Sequence, residues 1–183
     1  ERHKTNFLAL RYGNVVGSSG SVIPKFIKMI RENKKITITD SEMTRFSITM
    51  EQALDFIIDC TINGKSSEIY VPKLKAYSIL DVKDALFDLI KKTDFDVVGI
   101  RPGEKLHETL INSEEIRNSW DLENKFMISN PSKNDEEIVR SYEQNIKKIE
   151  NIDEYSSKIA ERHTKDELIE IIEKSNLLNH KDN

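Results

Sequence analysis

The sequence predicts an α/β fold in which helices cover a largely parallel sheet. Up to residue 100, short apolar runs rich in β-branched residues alternate with stretches whose apolar residues recur every three to four positions. This alternation is typical of βαβ units, in which consecutive strands are parallel. The 183 residues are enough for one large domain or two small ones with a hydrophobic core.

The strands of the first hundred residues follow from short apolar runs. The predicted strands span residues 6–12, 36–39, 68–71 and 96–100. A loop at 13–21 contains three of the six glycines, and residues 40–46 are predicted to be a polar connection. Pro102 and Gly103 predict a turn at 101–104, because proline presets φ and glycine adapts to the corner.

Each predicted helix has apolar residues on one face. The first has Ile23, Phe26, Ile27 and Ile30. The second, at about 50–61, is expected to open with a Thr49–Gln52 capping box and to bury Met50, Ala53, Leu54 and Ile57. The third has Val82, Ala85, Leu86 and Leu89.

From residue 113 the sequence becomes acidic and rich in asparagine. A break at Asn130 and Pro131 precedes a predicted polar helix near 134–149. The capping box of Thr164 and Glu167 predicts a final helix with Leu168, Ile171 and Ile172 on one face. We therefore divide the chain into residues 1–112, which hold the sheet and a ligand-binding subdomain, and an acidic helical extension at 113–183.

Composition excludes several classes of function. The 28 basic and 32 acidic residues give a net charge of −4, which argues against a nucleic-acid or anionic-lipid surface. The sequence has no apolar run near the ~20 residues that span a bilayer and no signal peptide, so we expect a cytoplasmic protein without membrane contact. Cys60 is the only cysteine, so we expect a buried small side chain rather than a disulfide or metal ligand.

Three arginines, Arg11, Arg45 and Arg101, follow or flank predicted strands, where ligands of parallel sheets bind. Guanidinium forks bind phosphate oxygens in a fixed geometry, so convergence of these residues predicts a nucleoside diphosphate site. Glu104 is placed to accept both ribose hydroxyls. The alternative for each arginine is a solvated charge or a surface ion pair.

Three motifs only approach known catalytic patterns. The glycines at 13, 17 and 20 do not have the G-x-G-x-x-G spacing that a dinucleotide requires. His107 and Glu108 lack the second histidine of a zinc protease. Residues 17–21 lack the final glycine of an esterase elbow.

Several runs together resemble nucleotide-sugar enzymes of the extended short-chain dehydrogenase type. These runs are residues 10–17, 20–24, 38–46, 71–73 and 99–108. The closest resemblance is to inverting UDP-N-acetylglucosamine 4,6-dehydratases, and it reaches residues 154–157 and 164–168. A UDP-sugar 4-epimerase shares the arginine loops, and a non-catalytic α/β nucleotide-binding module is the alternative outside enzymes.

The resemblance implies the C-terminal part of a Rossmann-like fold with a substrate-binding subdomain. The NADP loop, an Asp-Lys pair and a Tyr-x-x-x-Lys helix would lie outside this sequence, with residues 1–4 ending that helix. The whole enzyme would oxidise C4 of the sugar with NADP, eliminate water across C5 and C6, return the hydride to C6 and invert C5. We therefore expect this chain alone to be inactive, and the protein to self-associate.

The resemblance also implies roles for individual residues. Asn14 would approach the sugar diphosphate, and Arg45 and Arg101 would bind phosphate oxygens. Glu104 would hold the uridine ribose. The residues expected to line the uracil and sugar pocket are Ser21, Val22 and Ile23, and those expected near the nicotinamide are Arg11 and Tyr12. Ser47 stands where this group more often has a large aromatic side chain.

Overall fold

Helices and strands alternate through the first hundred residues of the computed structural model, which describes residues 5–142 and 145–179. The strands are β1 (Ala9–Leu10), β2 (Asn14–Val15), β3 (Ile36–Ile38), β4 (Thr44–Ile48), β5 (Ile69–Pro72), β6 (Ala76–Ser78), β7 (Phe95–Val97), β8 (Thr109–Ile111), β9 (Ser119–Asp121), β10 (Lys125–Ile128), β11 (Lys147–Lys148) and β12 (Tyr155–Ser156). The helices are α1 (Val22–Arg31), α2 (Met50–Asn63), α3 (Ile79–Leu89), α4 (Asp135–Ser141) and α5 (Lys165–Lys174). The α/β class is confirmed.

The chain folds into two compact units, each assembled from three separate segments. The first unit comprises residues 1–12, 51–73 and 109–156, and the second comprises 13–50, 74–108 and 157–183. The division proposed from the sequence at 112 falls within the last segment of the first unit and stays a prediction.

The first unit contains a sheet of order β1-β5-β10-β9-β11 and the separate pair β8–β12. β1 and β5 are parallel, whereas β10 runs antiparallel to both β5 and β9. Its core is aromatic and aliphatic, with Phe56, Cys60, Tyr70, Trp120 and Met127 among the buried residues. Cys60 is free and fully buried, which confirms the prediction for this residue.

The second unit contains the sheet β2-β4-β6 and the pair β3–β7. β3–β7 is a parallel pair of two predicted strands. β2–β4 is also parallel, although residues 14–15 were predicted as part of a loop, and β4–β6 is antiparallel. The core is formed by α1, α3, α5 and β3. All four residues predicted for the face of α1 are buried, and the Thr164 capping box of α5 is present.

Three local predictions were wrong. Residues 44–46 belong to β4, because their backbone pairs with β6. The polar helix near 134–149 is shorter, since α4 ends at Ser141 and β11 follows. In α2 the buried residues are Ala53, Phe56 and Cys60, while Met50 and Leu54 are more than half exposed.

No helix within the described residues is both long and apolar enough to cross a membrane.

Candidate functional site

Asn14 and Arg45 lie on neighbouring strands of the second unit. β2 pairs with β4 in parallel, with Asn14 opposite Ser47. Gly13 makes this approach possible, because a Cβ at this position would collide with the side chain of Phe46 and lie 3.2 Å from its carbonyl carbon. A larger residue at 13 would therefore push the Asn14 loop away from β4.

Glu108 joins these two strands through its carboxylate. Oε1 accepts a hydrogen bond from Nδ2 of Asn14 at 3.2 Å and lies 3.6 Å from Nε of Arg45. Oε2 accepts the backbone N–H of Phe46 at 3.3 Å. In the sequence, Glu108 belongs to the incomplete zinc motif and to the run at 99–108, and neither predicts this bridging contact.

The guanidinium of Arg45 is contacted at Nε and Nη1. Nη1 donates to the carbonyl oxygens of Thr44 at 2.7 Å and Leu106 at 3.1 Å. Nη2 has no hydrogen-bond partner among the described residues. This nitrogen is therefore able to donate to a bound anion.

The predicted turn at 101–104 is confirmed. The N–H of Glu104 donates to the carbonyl of Arg101 at 3.0 Å, and Gly103 has a φ of 83°, which favours glycine. The Glu104 carboxylate accepts the hydroxyl of Thr39 at 3.3 Å and the N–H of Arg101 at 3.4 Å. The Arg101 side chain is exposed and makes no hydrogen bond to any described residue.

Residues 21–23 form the start of α1. The Ser21 hydroxyl oxygen is buried without a hydrogen-bond partner and does not cap the helix. Val22 packs partly against the core, whereas Ile23 is a core residue with 3% exposure. The expected role of Ser21, Val22 and Ile23 in lining the pocket stays a prediction.

Arg11 and Tyr12 belong to the first unit, and both are occupied by neighbours. The two guanidinium nitrogens of Arg11 donate to Glu115 at 2.7 and 2.9 Å, which raises the pKa of Arg11 and lowers that of Glu115. The Tyr12 ring packs edge-to-face on Phe56 at 6.4 Å. Arg11 therefore follows the ion-pair alternative, and its expected place near a nicotinamide stays a prediction.

A buried hydroxyl junction braces the Arg45 strand. Thr44 Oγ1 lies 2.8 Å from Nδ1 of His107 and 2.8 Å from the hydroxyl of Ser157. Burial, followed by the nearby cations Lys158 and Arg162, lowers the pKa of His107. Whether His107 is structural or contacts a substrate stays open between the two roles predicted for it, and Ser157 was given no function because it lies far from the site in sequence.

Two further polar groups border β4. Tyr77 is paired with Arg45 across β4 and β6, and burial raises its pKa. Ser47, where an aromatic residue was expected, lies 3.0 Å from Nε2 of His163. Burial lowers the pKa of this histidine. The contact joins β4 to the segment before α5.

Two common binding motifs are absent from the described part of the chain. The described residues contain no group of three or more His, Cys, Asp or Glu side chains that would hold a metal ion. The sequence has no G-x-G-x-x-G, and no tyrosine has lysine at the fourth following position. The fork of Arg11 is occupied by Glu115.

Comparison with known proteins identifies similar chains. The model of a family described as "Polysaccharide biosynthesis protein" matches residues 1–130. An inverting UDP-N-acetylglucosamine 4,6-dehydratase of Campylobacter jejuni is 41% identical over 69% of this chain and 37% of its own length. A UDP-glucose 4-epimerase of Rickettsia bellii is 35% identical over 93% of this chain and 50% of its own.

A solved structure supports the fold. The X-ray structure of Pen from Bacillus thuringiensis matches with a TM-score of 0.80 and 33% identity, over 94% of this chain and 51% of that chain. The chain thus spans about half the length, or less, of these relatives.

Proposed function

Because the chain belongs to the polysaccharide biosynthesis protein family, we propose that it is the nucleotide-sugar-binding part of an inverting UDP-N-acetylglucosamine 4,6-dehydratase. The observation that carries the proposal is that two arginines in the second unit have guanidinium nitrogens without a hydrogen-bond partner in the described part of the chain. Arg45 Nη2 and the whole Arg101 guanidinium have no hydrogen-bond partner among the described residues. Such donors match the oxygens of a diphosphate.

The other expected ligand contacts supply complementary chemistry. The Glu104 carboxylate is held by its own turn and would accept the two ribose hydroxyls. The unpartnered hydroxyl of Ser21 and the exposed amide of Asn14 would bind the diphosphate or the sugar. The chain's function in this proposal is to bind the substrate and orient it, since the G-x-G-x-x-G motif is absent from this sequence.

The finer properties of the whole enzyme belong to the same proposal. These are NADP as the hydride carrier, UDP-N-acetylglucosamine as the sugar nucleotide, a cytoplasmic location and self-association. The 41% identity to the dehydratase of C. jejuni favours this substrate and reaction.

A UDP-sugar 4-epimerase is the second candidate. The R. bellii epimerase aligns with 93% of this chain, against 69% for the dehydratase. Incubating the whole enzyme with UDP-N-acetylglucosamine and NADP separates the two, because a dehydratase gives a 4-keto-6-deoxy sugar and an epimerase gives the C4 epimer. The upstream sequence would also differ, since only elimination of water needs an added acid and base.

Titration of the isotope-labelled chain with UDP tests binding directly. We expect saturable changes in the backbone amide resonances of Asn14, Ser21, Arg45 and the 101–104 turn. UMP, which lacks one phosphate, should bind more weakly. Absence of changes at these positions with millimolar UDP would contradict the proposal.

A further inference from the structure

Glu108 is at the centre of the polar contacts of the second unit. Its carboxylate accepts the Asn14 amide at 3.2 Å, lies 3.6 Å from Nε of Arg45 and accepts the N–H of Phe46 at 3.3 Å. One side chain therefore contacts β2 and β4. Two of its three partners are the side chains proposed to meet the diphosphate.

Ser157 fixes the backbone of Glu108. The N–H of Glu108 donates to the Ser157 hydroxyl at 2.9 Å, and the N–H of Ser157 donates to the carbonyl of Glu108 at 2.8 Å. The same hydroxyl donates to the carbonyl of Thr44 at 3.2 Å. Thr44 and Ser157 are fully buried, so this junction sets where Glu108 lies relative to β4.

Order imposed before binding has an energetic benefit. Asn14 is exposed and arginine has many rotamers, so immobilising both only when a ligand arrives would oppose binding. Contacts already present in the ligand-free protein avoid that loss. The hydrogen bond between Glu108 and Asn14 and the ion pair between Glu108 and Arg45 are contacts of this kind.

We propose that Glu108 is a positioning residue, whose carboxylate orients the Asn14 amide and the Arg45 guanidinium, and that Ser157 holds Glu108 in place. The identity of the ligand in this inference rests on the proposed function. The orientation of the two side chains does not.

Glu108 could affect UDP binding by positioning its partners or by repelling the phosphates, and the two effects predict opposite changes in the affinity of Glu108→Gln. A carboxylate 3.6 Å from Nε of Arg45 also repels an incoming phosphate. If repulsion dominated, Glu108→Gln would strengthen UDP binding. If positioning dominates, the same variant weakens binding, because an amide cannot accept at both of its terminal atoms.

The first measurement follows side-chain order by NMR without ligand. In Glu108→Gln and Ser157→Ala we expect lower order parameters for the Asn14 amide and faster hydrogen exchange at Arg45 Nε. Glu170→Gln is the matched control, because Glu170 pairs with Lys174 on the exposed surface of α5. Unchanged order at Asn14 and Arg45 in Glu108→Gln, or in Ser157→Ala, would overturn the corresponding half of the inference.

The second measurement is calorimetric titration with UDP. We expect about tenfold weaker binding for Glu108→Gln and Ser157→Ala, and wild-type affinity for Glu170→Gln. Glu108→Asp keeps the charge on a shorter side chain and replaces the glutamine variant if that one fails to fold. Equal or tighter binding in the Glu108 variant would overturn the positioning function.

The two experiments separate the inference from the function on which it rests. If the wild-type chain does not bind UDP, the proposed function is wrong, and the NMR measurement still decides whether Glu108 orients Asn14 and Arg45.

Discussion

Replacement of Arg101 by alanine removes a guanidinium that the fold does not use. The side chain is exposed and has no partner among the described residues, and the turn is held by backbone contacts between Arg101 and Glu104. The unfolding free energy should therefore change by no more than about 0.5 kcal/mol, as for other surface substitutions.

The effect on UDP binding should be much larger. A guanidinium fork that binds a phosphate makes two charge-assisted hydrogen bonds, and their loss costs about 2–3 kcal/mol. That free energy corresponds to roughly 30- to 150-fold weaker binding. The UDP affinity of Arg101→Lys should lie between those of the wild type and Arg101→Ala, because lysine keeps the charge without the fork.

Isothermal titration with UDP measures this difference, and thermal melting of the same samples checks the fold. Arg140→Ala is the matched control, since Arg140 is exposed on α4 and pairs with Glu136 within that helix. An Arg101→Ala variant that melts normally and binds UDP within twofold of wild type would refute the assignment of Arg101 to phosphate.

Four other outcomes follow from the structure. Thr164→Ala should lower the unfolding free energy by about 1 kcal/mol in urea titrations, because it removes the capping box of α5. Burial lowers the pKa of His163 from 6.5, so below pH 6.5 the folded state binds fewer protons than the unfolded state. The unfolding free energy should therefore fall as the pH drops below 6.5. In His163→Gln the unfolding free energy should depend less on pH in this range. The chain with UDP-N-acetylglucosamine and NADP should give no 4-keto product by mass spectrometry, and turnover above a boiled control would contradict this. Light scattering should show a dimer, because Leu54, Ile58 and Ile62 of α2 are each more than half exposed; a stable monomer at high concentration that melts cooperatively would count against it.

The sequence predicted correctly those helices whose apolar residues lie on a single face or whose first turn has a capping motif. In α1 every predicted apolar residue is buried, and in α5 the capping box fixes the first turn. The face of α2 was predicted wrongly because apolar residues occur around most of the helix, among them Leu54, Ile57 and Ile58. Periodicity alone does not decide which of these faces a core.

Contacts between segments that are far apart in the sequence could not be predicted from local patterns. β4 was missed because the polar side chains of Thr44 and Arg45 are typical of a loop. These residues form a strand because their backbone pairs with β6. The 101–104 turn was predicted since proline and glycine act locally. Nothing in the local sequence links Glu108 to Ser157, 49 residues later.

The assembly of each unit from three separate segments has a consequence for synthesis of the protein. The chain passes between the units five times, so no single cut releases either unit as one continuous piece. Leu168 and Ile172 of α5 belong to the core that α1 and α3 also form, and they leave the ribosome well after the residues of α1 and α3. The part of the α3 surface that packs against α5 therefore stays exposed until α5 has been synthesised. Slow translation of the preceding segment would lengthen the period in which chaperones or aggregation compete for that surface.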